Sequence, residues 1–590
     1  MEAGLTSCSA TAGAVALTVA VAVSACTPTP RERDWVIAES ADLSARIDAL
    51  FAGHDAPGSP GGIAAVIHQG RIVHLNGYGS ANREFRIPWA PDVGYRIASI
   101  TKGFTGHAAL LLADAGRLDL DDPVQQHLTD FPMFPAPLTI RHLLTNTSGL
   151  WYDEWLLPLA GVTGHATLDE MYALARRQDT LNYVPGTAHN YIDTNWRMMA
   201  RIIETVTGVS WQEALRELIF DPLGMDRTLA PPDIAQIHDG QGTTYLYAGE
   251  GVTSFRFEFP FQTSGDGSLL TTFDDFLRWP MHLREGFEDG TSMFDRLKGP
   301  TRLAGGANLA YGFGLGEERY RGLRGWGHGG ATGTHWAFYP EIDLIVAVFT
   351  NYLGSLSASA LHTQMVDAFL ASDPGSGQSA PGGMGPAPLT PEQQELLAGT
   401  FVDPETGDYL RSRGEPGALT HQFSGAPAPL RDLGDCTFET IRNVHIPPIE
   451  VVAPGCDTGP PAELHVRWSA WDSPRRFVRA PAGDAGAGAS HAPADYVGSY
   501  YSDQLRVHWH VESEEDGLTM RIGAGVQAGQ NFDLVATAAD AFIAEPHQPP
   551  MLDLLSLPSL AIRFEREPGG RVSTLHVSLD RVRGVRFTRR

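Results

Sequence analysis

The stretch Tyr95-Arg-Ile-Ala-Ser-Ile-Thr-Lys-Gly-Phe-Thr105 places Ser99 three residues before Lys102, just ahead of the apolar run Ala108–Leu112. If Ser99 opens a helix, the two side chains share one face, one turn apart. A helix N-terminus offers unpaired N–H groups and the positive end of the dipole. Both suit the oxyanion that forms when a hydroxyl attacks a carbonyl. A serine is a poor nucleophile without a neighbouring base. A lysine can be that base when burial and cationic neighbours loosen its hold on the proton. Alone the spacing is a weak signal, because a capping serine beside a surface lysine looks the same.

Composition strengthens it. Of the 43 basic residues in 590, only Lys102 and Lys298 are lysine. Arg stays protonated in proteins, whereas Lys can shed its proton. A chain that otherwise uses Arg keeps lysine at Lys102 for chemistry, while Lys298, in Asp295-Arg-Leu-Lys-Gly-Pro, reads as a neutral surface residue. The net charge of −26 argues against nucleic acid or an anionic membrane surface as a partner.

Further phrases follow in order: Gly116-Arg-Leu-Asp-Leu-Asp-Asp-Pro-Val, Leu138-Thr-Ile-Arg-His-Leu-Leu-Thr-Asn-Thr-Ser-Gly-Leu150, Pro185-Gly-Thr, Pro222-Leu-Gly-Met225 and Tyr311-Gly-Phe-Gly. Together with Ser-x-x-Lys they resemble the β-lactamase-related serine hydrolases. That family includes class C β-lactamases, D,D-carboxypeptidases, D-aminopeptidases and some esterases. The resemblance runs from about residue 40 to 371. It implies an α/β domain, an antiparallel sheet flanked by helices plus a helical subdomain, with the active-site cleft between them. It also implies an acyl-enzyme on Ser99 activated by Lys102, with neither cofactor nor metal.

The family's Tyr-x-Asn falls on Tyr191-Ile192-Asp193. The resemblance makes Tyr191 a proton shuttle and Asp193 a substrate-binding position. An amide there could donate to a substrate carbonyl, but a carboxylate only accepts, which favours substrates with N–H donors or an ammonium. The third element, Lys-Thr-Gly or His-x-Gly in the family, is His328-Gly329-Gly330. His328 and Gly330 are thereby implied at the substrate, and the N–H groups of Ser99 and Ala331 in the oxyanion hole. His in place of Lys removes a fixed charge that would grip a substrate carboxylate. Trp151, Tyr152 and Trp155 fit cleft lining and ordinary packing equally well; His508 and His510 alternate on a solvent-facing strand.

Residues 10–25 carry no charge and end in Val23-Ser24-Ala25-Cys26, an export leader with a lipobox-like close over residues 1–26 that makes Cys26 a lipid-anchor candidate. The n-region departs from the pattern, holding Glu2 and no basic residue. The expected location is the periplasm or cell envelope. The hydrolase domain is expected over 35–371, a linker over 372–390, a β-rich module over 391–481, a second linker over 482–494 and a second module over 495–590. The phrases Leu397-Ala-Gly-Thr-Phe and Tyr496-Val-Gly-Ser-Tyr open the two modules, which read as small antiparallel barrels. Cys436 and Cys456 fit either one disulfide or two free thiols. No ligand spacing typical of a metal site occurs.

The architecture resembles D-aminopeptidases, so the leading expectation is a peptidase or amidase acting on small molecules or short peptides with a free amino end. The alternatives are an esterase, a weak β-lactamase or D,D-carboxypeptidase, and a non-catalytic penicillin- or peptide-binding lipoprotein.

Overall fold

The computed structural model describes residues 41–162, 165–246, 255–287, 290–300, 302–353, 356–372, 389–404, 409–412, 418–421, 427–440, 450–467, 474–480, 491–514, 517–523, 530–547, 557, 559–579 and 581–590. The leader with Cys26, and most of both linker stretches, lie outside them.

Helix α1 (Ala41–Phe51) turns Leu43, Ile47 and Phe51 inward, the stripe its spacing predicts. Each such burial contributes about 1.5–3 kcal/mol. The hairpin β1 (Gly62–His68) and β2 (Arg71–Tyr78) turns at Gln69-Gly70, both at positive φ. Helix α2 (Thr101–Asp114), α3 (Thr194–Thr207) and α4 (Phe273–Arg284) follow. The chain then returns through β3 (Gly316–Tyr320), β4 (Leu323–Gly330), β5 (Thr334–Tyr339) and β6 (Leu344–Thr350) to α5 (Ala358–Ser372).

These strands form one antiparallel sheet in the order β2-β1-β6-β5-β4-β3, so the first and last parts of the domain meet at β1 and β6. Residues paired across neighbouring strands share a face. One face, with Ala64, Val66, Ala337 and Val346, packs under α1 and α5. The other carries Trp336 and Phe349 against Phe276 and Trp279 of α4. Phe104 of α2 stacks on Trp279 at 4.2 Å between centroids, which ties α2 to that second face.

Two closed eight-stranded antiparallel barrels complete the chain: β7 (Gly399–Val402) to β14 (Arg475–Arg479), and β15 (Gly498–Ser502) to β22 (Val582–Arg589). Closure pairs the first strand with the last, Phe401 with Arg479 and Tyr500 with Arg589. A disulfide joins Cys436 to Cys456 in the first barrel. The second barrel shares its core with the hydrolase domain: Trp151, Leu156 and Leu157 pack in one cluster with Trp509 and Phe587. Trp151 therefore belongs to packing. Among the described residues no helix is long and apolar enough to cross a membrane.

Candidate active site

Ser99 lies in a 3-10 turn (Ala98–Ile100) that runs into α2 at Thr101. The expectation that Ser99 itself opens the α-helix is thus off by one short turn. Ala98 holds φ of +44°, a left-handed conformation that costs a non-glycine residue energy and persists only where its surroundings enforce it. Those surroundings come from the β4–β5 turn. Thr332 and Thr334 donate to the carbonyls of Arg96 and Ile97 at 2.6 and 3.1 Å. A Cβ on Gly330 would stand 2.4 Å from the Ile97 carbonyl oxygen, so only glycine allows this approach. The turn that follows carries the exposed Ala331.

Lys102 is 0% exposed. Its ammonium reaches three oxygens: Ser99 Oγ at 3.0 Å, the Asp266 carbonyl at 2.8 Å and Asp193 Oδ1 at 2.6 Å. Three acceptors match the three donors of an ammonium. The cationic neighbours expected from sequence are replaced by oxygens here, one of them a carboxylate. Tyr191 hydrogen-bonds Ser99, and burial, then the Asp193 charge, pushes its phenol well above the ordinary range. Burial works to raise Asp193, but Lys102 first and Arg197 next outweigh it and hold the carboxyl below its usual range. Its side chain keeps 15% exposure.

His328 is buried on β4. Its Nδ1 lies 2.6 Å from the Gly329 carbonyl and its Nε2 3.0 Å from the Tyr311 hydroxyl. Burial, reinforced by Lys102, pushes its pKa down to about 3. The ring is therefore neutral, with Nδ1–H donating to Gly329 and Nε2 accepting from Tyr311. Position 328 therefore carries no fixed charge, as the sequence motif implied.

Sequence reasoning missed a carboxylate network behind these residues. Arg197 on α3 donates to Asp153 at 2.6 Å, Glu154 at 2.7 Å and Asp266 at 2.9 Å. Tyr152 lies 2.5 Å from Glu154 and 3.2 Å from Asp193 through its hydroxyl, which assigns it to the site. Burial pushes Glu154 well up and Asp153 up to about 6. Glu154, Asp193 and Asp266 have oxygens within 4.8 Å of one another, but Lys102 and Arg197 already supply the cations they need. The available signal was Arg197 itself, flanked by Trp196, Met198 and Met199 in a helix that is apolar around it.

The second barrel reaches this site through the connection between β21 (Val572–Leu579) and β22. Arg581 stands over the Tyr152 ring at 5.8 Å, and its charge also bears on Tyr191. The Arg581 carbonyl accepts from the Tyr152 N–H and from Asn182 Nδ2 at 3.2 and 2.9 Å. Lys298 pairs with Asp295, away from Ser99.

The chain is similar to proteins of known kind. The family model described as Beta-lactamase matches residues 47–368. A D-aminopeptidase of Gluconobacter oxydans is 31% identical over 406 residues, covering 67% of this chain and 72% of that protein. A D-aminopeptidase of Brucella canis is 27% identical over 548 residues, covering 90% and 96%. Among solved structures, an octameric penicillin-binding protein homologue from Pyrococcus abyssi aligns with TM-score 0.49 at 23% identity, over 74% of this chain and 99% of that one.

Proposed function

Because this chain belongs to the Beta-lactamase family, and is a serine hydrolase, we propose that it is a D-aminopeptidase-like peptidase or amidase working through an acyl-enzyme on Ser99. The observation that carries this reading is Lys102 Nζ 3.0 Å from Ser99 Oγ, with the Tyr191 phenol bonded to the same serine. Ser99 attacks the substrate carbonyl and passes its proton to Lys102. The oxyanion rests on the N–H groups of Ser99 and Ala331. Tyr191, a neutral phenol, relays a proton to the departing amine, and water then releases the acyl group.

Asp193 sets the substrate class in this proposal. Lys102 can take the Ser99 proton only as the neutral amine, so one of its three protons first passes to solvent, and the Asp193 carboxylate opposes that loss by holding the ammonium in place. A substrate α-ammonium at the exposed edge of Asp193 draws on the same carboxylate and weakens its hold on the Lys102 proton. The charge-assisted bond it makes is worth about 1.5–3 kcal/mol, roughly ten- to a hundredfold in selectivity. Free-amino D-aminoacyl amides are therefore expected to react that much faster than their N-acetyl counterparts, and Asp193→Asn is expected to erode the preference. Matched kcat/KM measurements test this. Equal rates in the wild type would move the esterase reading ahead.

Arg581 gives the second barrel a hand in selection. Arg581→Ala is expected to raise KM about three- to fivefold, the scale of a partly exposed charge, while a small fluorophosphonate still labels Ser99 at the wild-type rate. An unchanged KM across a substrate panel would remove Arg581 from the binding surface. Removing the whole barrel is a poorer test, because it would bare Trp151, Leu156 and Leu157.

Export to the cell envelope remains part of the proposal. It is supported by the leader-like residues 1–26 and by the Cys436–Cys456 disulfide, a bond that persists in oxidising compartments.

A further inference from the structure

Strand β4 carries glycine at 325, 327 and 329, so beyond Leu323 it presents no side chain on the face turned to α5. Glu318 on β3 pairs with Gly325 and His335 on β5 pairs with Gly329. Paired residues share a face, so Glu318 and His335 stand on this bare surface from either side. With no Cβ between them they meet across β4, His335 Nε2 lying 2.9 Å from Glu318 Oε1. From above, α5 lowers His362 onto the pair, its Nδ1 3.9 Å from Glu318 Oε2 and its ring 4.4 Å from that of His335.

His362 is the informative member. It is 0% exposed, and among the described residues neither ring nitrogen has a hydrogen-bond partner. Buried polar groups are almost always paired, so an orphaned imidazole calls for a partner that the chain itself does not supply. One carboxylate and two imidazoles converge here with one ligand atom from each within 4.8 Å of the others. Donor atoms around a tetrahedral zinc, bound at about 2.0–2.1 Å, stand about 3.3 Å apart, between the two separations seen.

We propose that Glu318, His335 and His362 form a binding site for a divalent transition-metal ion, Zn²⁺ by its donor set of two nitrogens and a carboxylate. The ion clips α5 to the edge of the sheet. Glu318 and His335 keep 18% and 12% side-chain exposure, which gives the ion a route in from solvent. Lys102 and His328 lie on the other side of the sheet, since His328 pairs with Trp336 on the face packed against α4. The site therefore lies on the opposite face of the sheet from Ser99, with His328 within reach of its charges, and it does not rest on the substrate reading.

The test uses the full chain, stripped with a chelator and titrated with Zn²⁺ by calorimetry and with Co²⁺ by visible absorption. Wild type is expected to bind one equivalent that His362→Ala and the near-isosteric Glu318→Gln lose, with intense d–d bands for Co²⁺ in the wild type alone. Zn²⁺ is expected to raise the melting temperature of the wild type and not of the variants, while Ser99 labelling stays unchanged in all three. Circular dichroism shows that the variants are folded. No bound equivalent in the wild type, or equal Zn²⁺ affinity in wild type and both variants, overturns the site.

Discussion

Lys102→Arg is expected to slow acylation of Ser99 by about 10²- to 10⁴-fold, the span contributed by a positioned general base. Arg keeps the charge and can still pair with Asp193, but it does not give up its proton. The loss therefore isolates the proton transfer from the electrostatics. Lys102 is wholly buried among Ser99, Asp193 and Asp266, so the larger guanidinium also tests the packing. A parallel Lys102→Met variant, with circular dichroism and melting curves for both, separates loss of the base from loss of the fold. Ser99→Ala is expected to abolish fluorophosphonate labelling and turnover together. Turnover above about one-hundredth of wild type in a folded Lys102→Arg protein would remove Lys102 from the base role. Turnover in Ser99→Ala would remove the acyl-enzyme.

What could be read in the sequence follows from how local each feature is. Ser99 and Lys102 are one turn apart on a single helix start, so their meeting is a matter of spacing. Tyr191 and His328 come from distant segments, and only the ordered run of phrases between them tied them to Ser99. The sheet was legible at β1, β2, β5 and β6, where apolar strands are bounded by Gln69-Gly70 and Pro340-Glu-Ile-Asp343. Barrel closure was harder to read, because it rests on pairings such as Phe401 with Arg479 that no local pattern encodes. Asp153, Glu154 and Asp266 were invisible for another reason. In a chain with 69 acidic residues a buried carboxylate looks like a surface one until its partner is placed. Glu318, His335 and His362 escaped notice likewise, since each sits alone in its own strand or helix and spacing carries no trace of the face they share.

Arg197→Met is expected to destabilise the hydrolase domain by about 3–5 kcal/mol, the cost of removing one partner from a buried ionic cluster. Arg197 is fully enclosed and donates to Asp153, Glu154 and Asp266, while Asp193 lies within reach of its charge. Without it Lys102 faces all the carboxyls alone. Melting of the domain is expected to fall by roughly 5–10 °C. The pH dependence carries a sign that simple loss of packing would not produce. With Arg197 in place burial already pushes Asp153 up to about 6 in the folded protein, above the ordinary carboxylate range. A carboxyl raised in the folded state binds its proton more tightly there than in the unfolded chain. Its contribution is thus most favourable below the unfolded value and is lost as pH rises through the folded one. Removing Arg197 raises Asp153 and Asp266 further, so the variant should be closest to wild type near pH 5 and furthest from it near pH 8. Arg197→Lys, restoring one charge but not the forked geometry, should recover part of the loss. A deficit that stays constant between those two pH values would mean that Arg197 acts by filling space. In that case the carboxylates behind Lys102 would not depend on its charge to remain buried, and Lys102 would not depend on Arg197 for a share of Asp193.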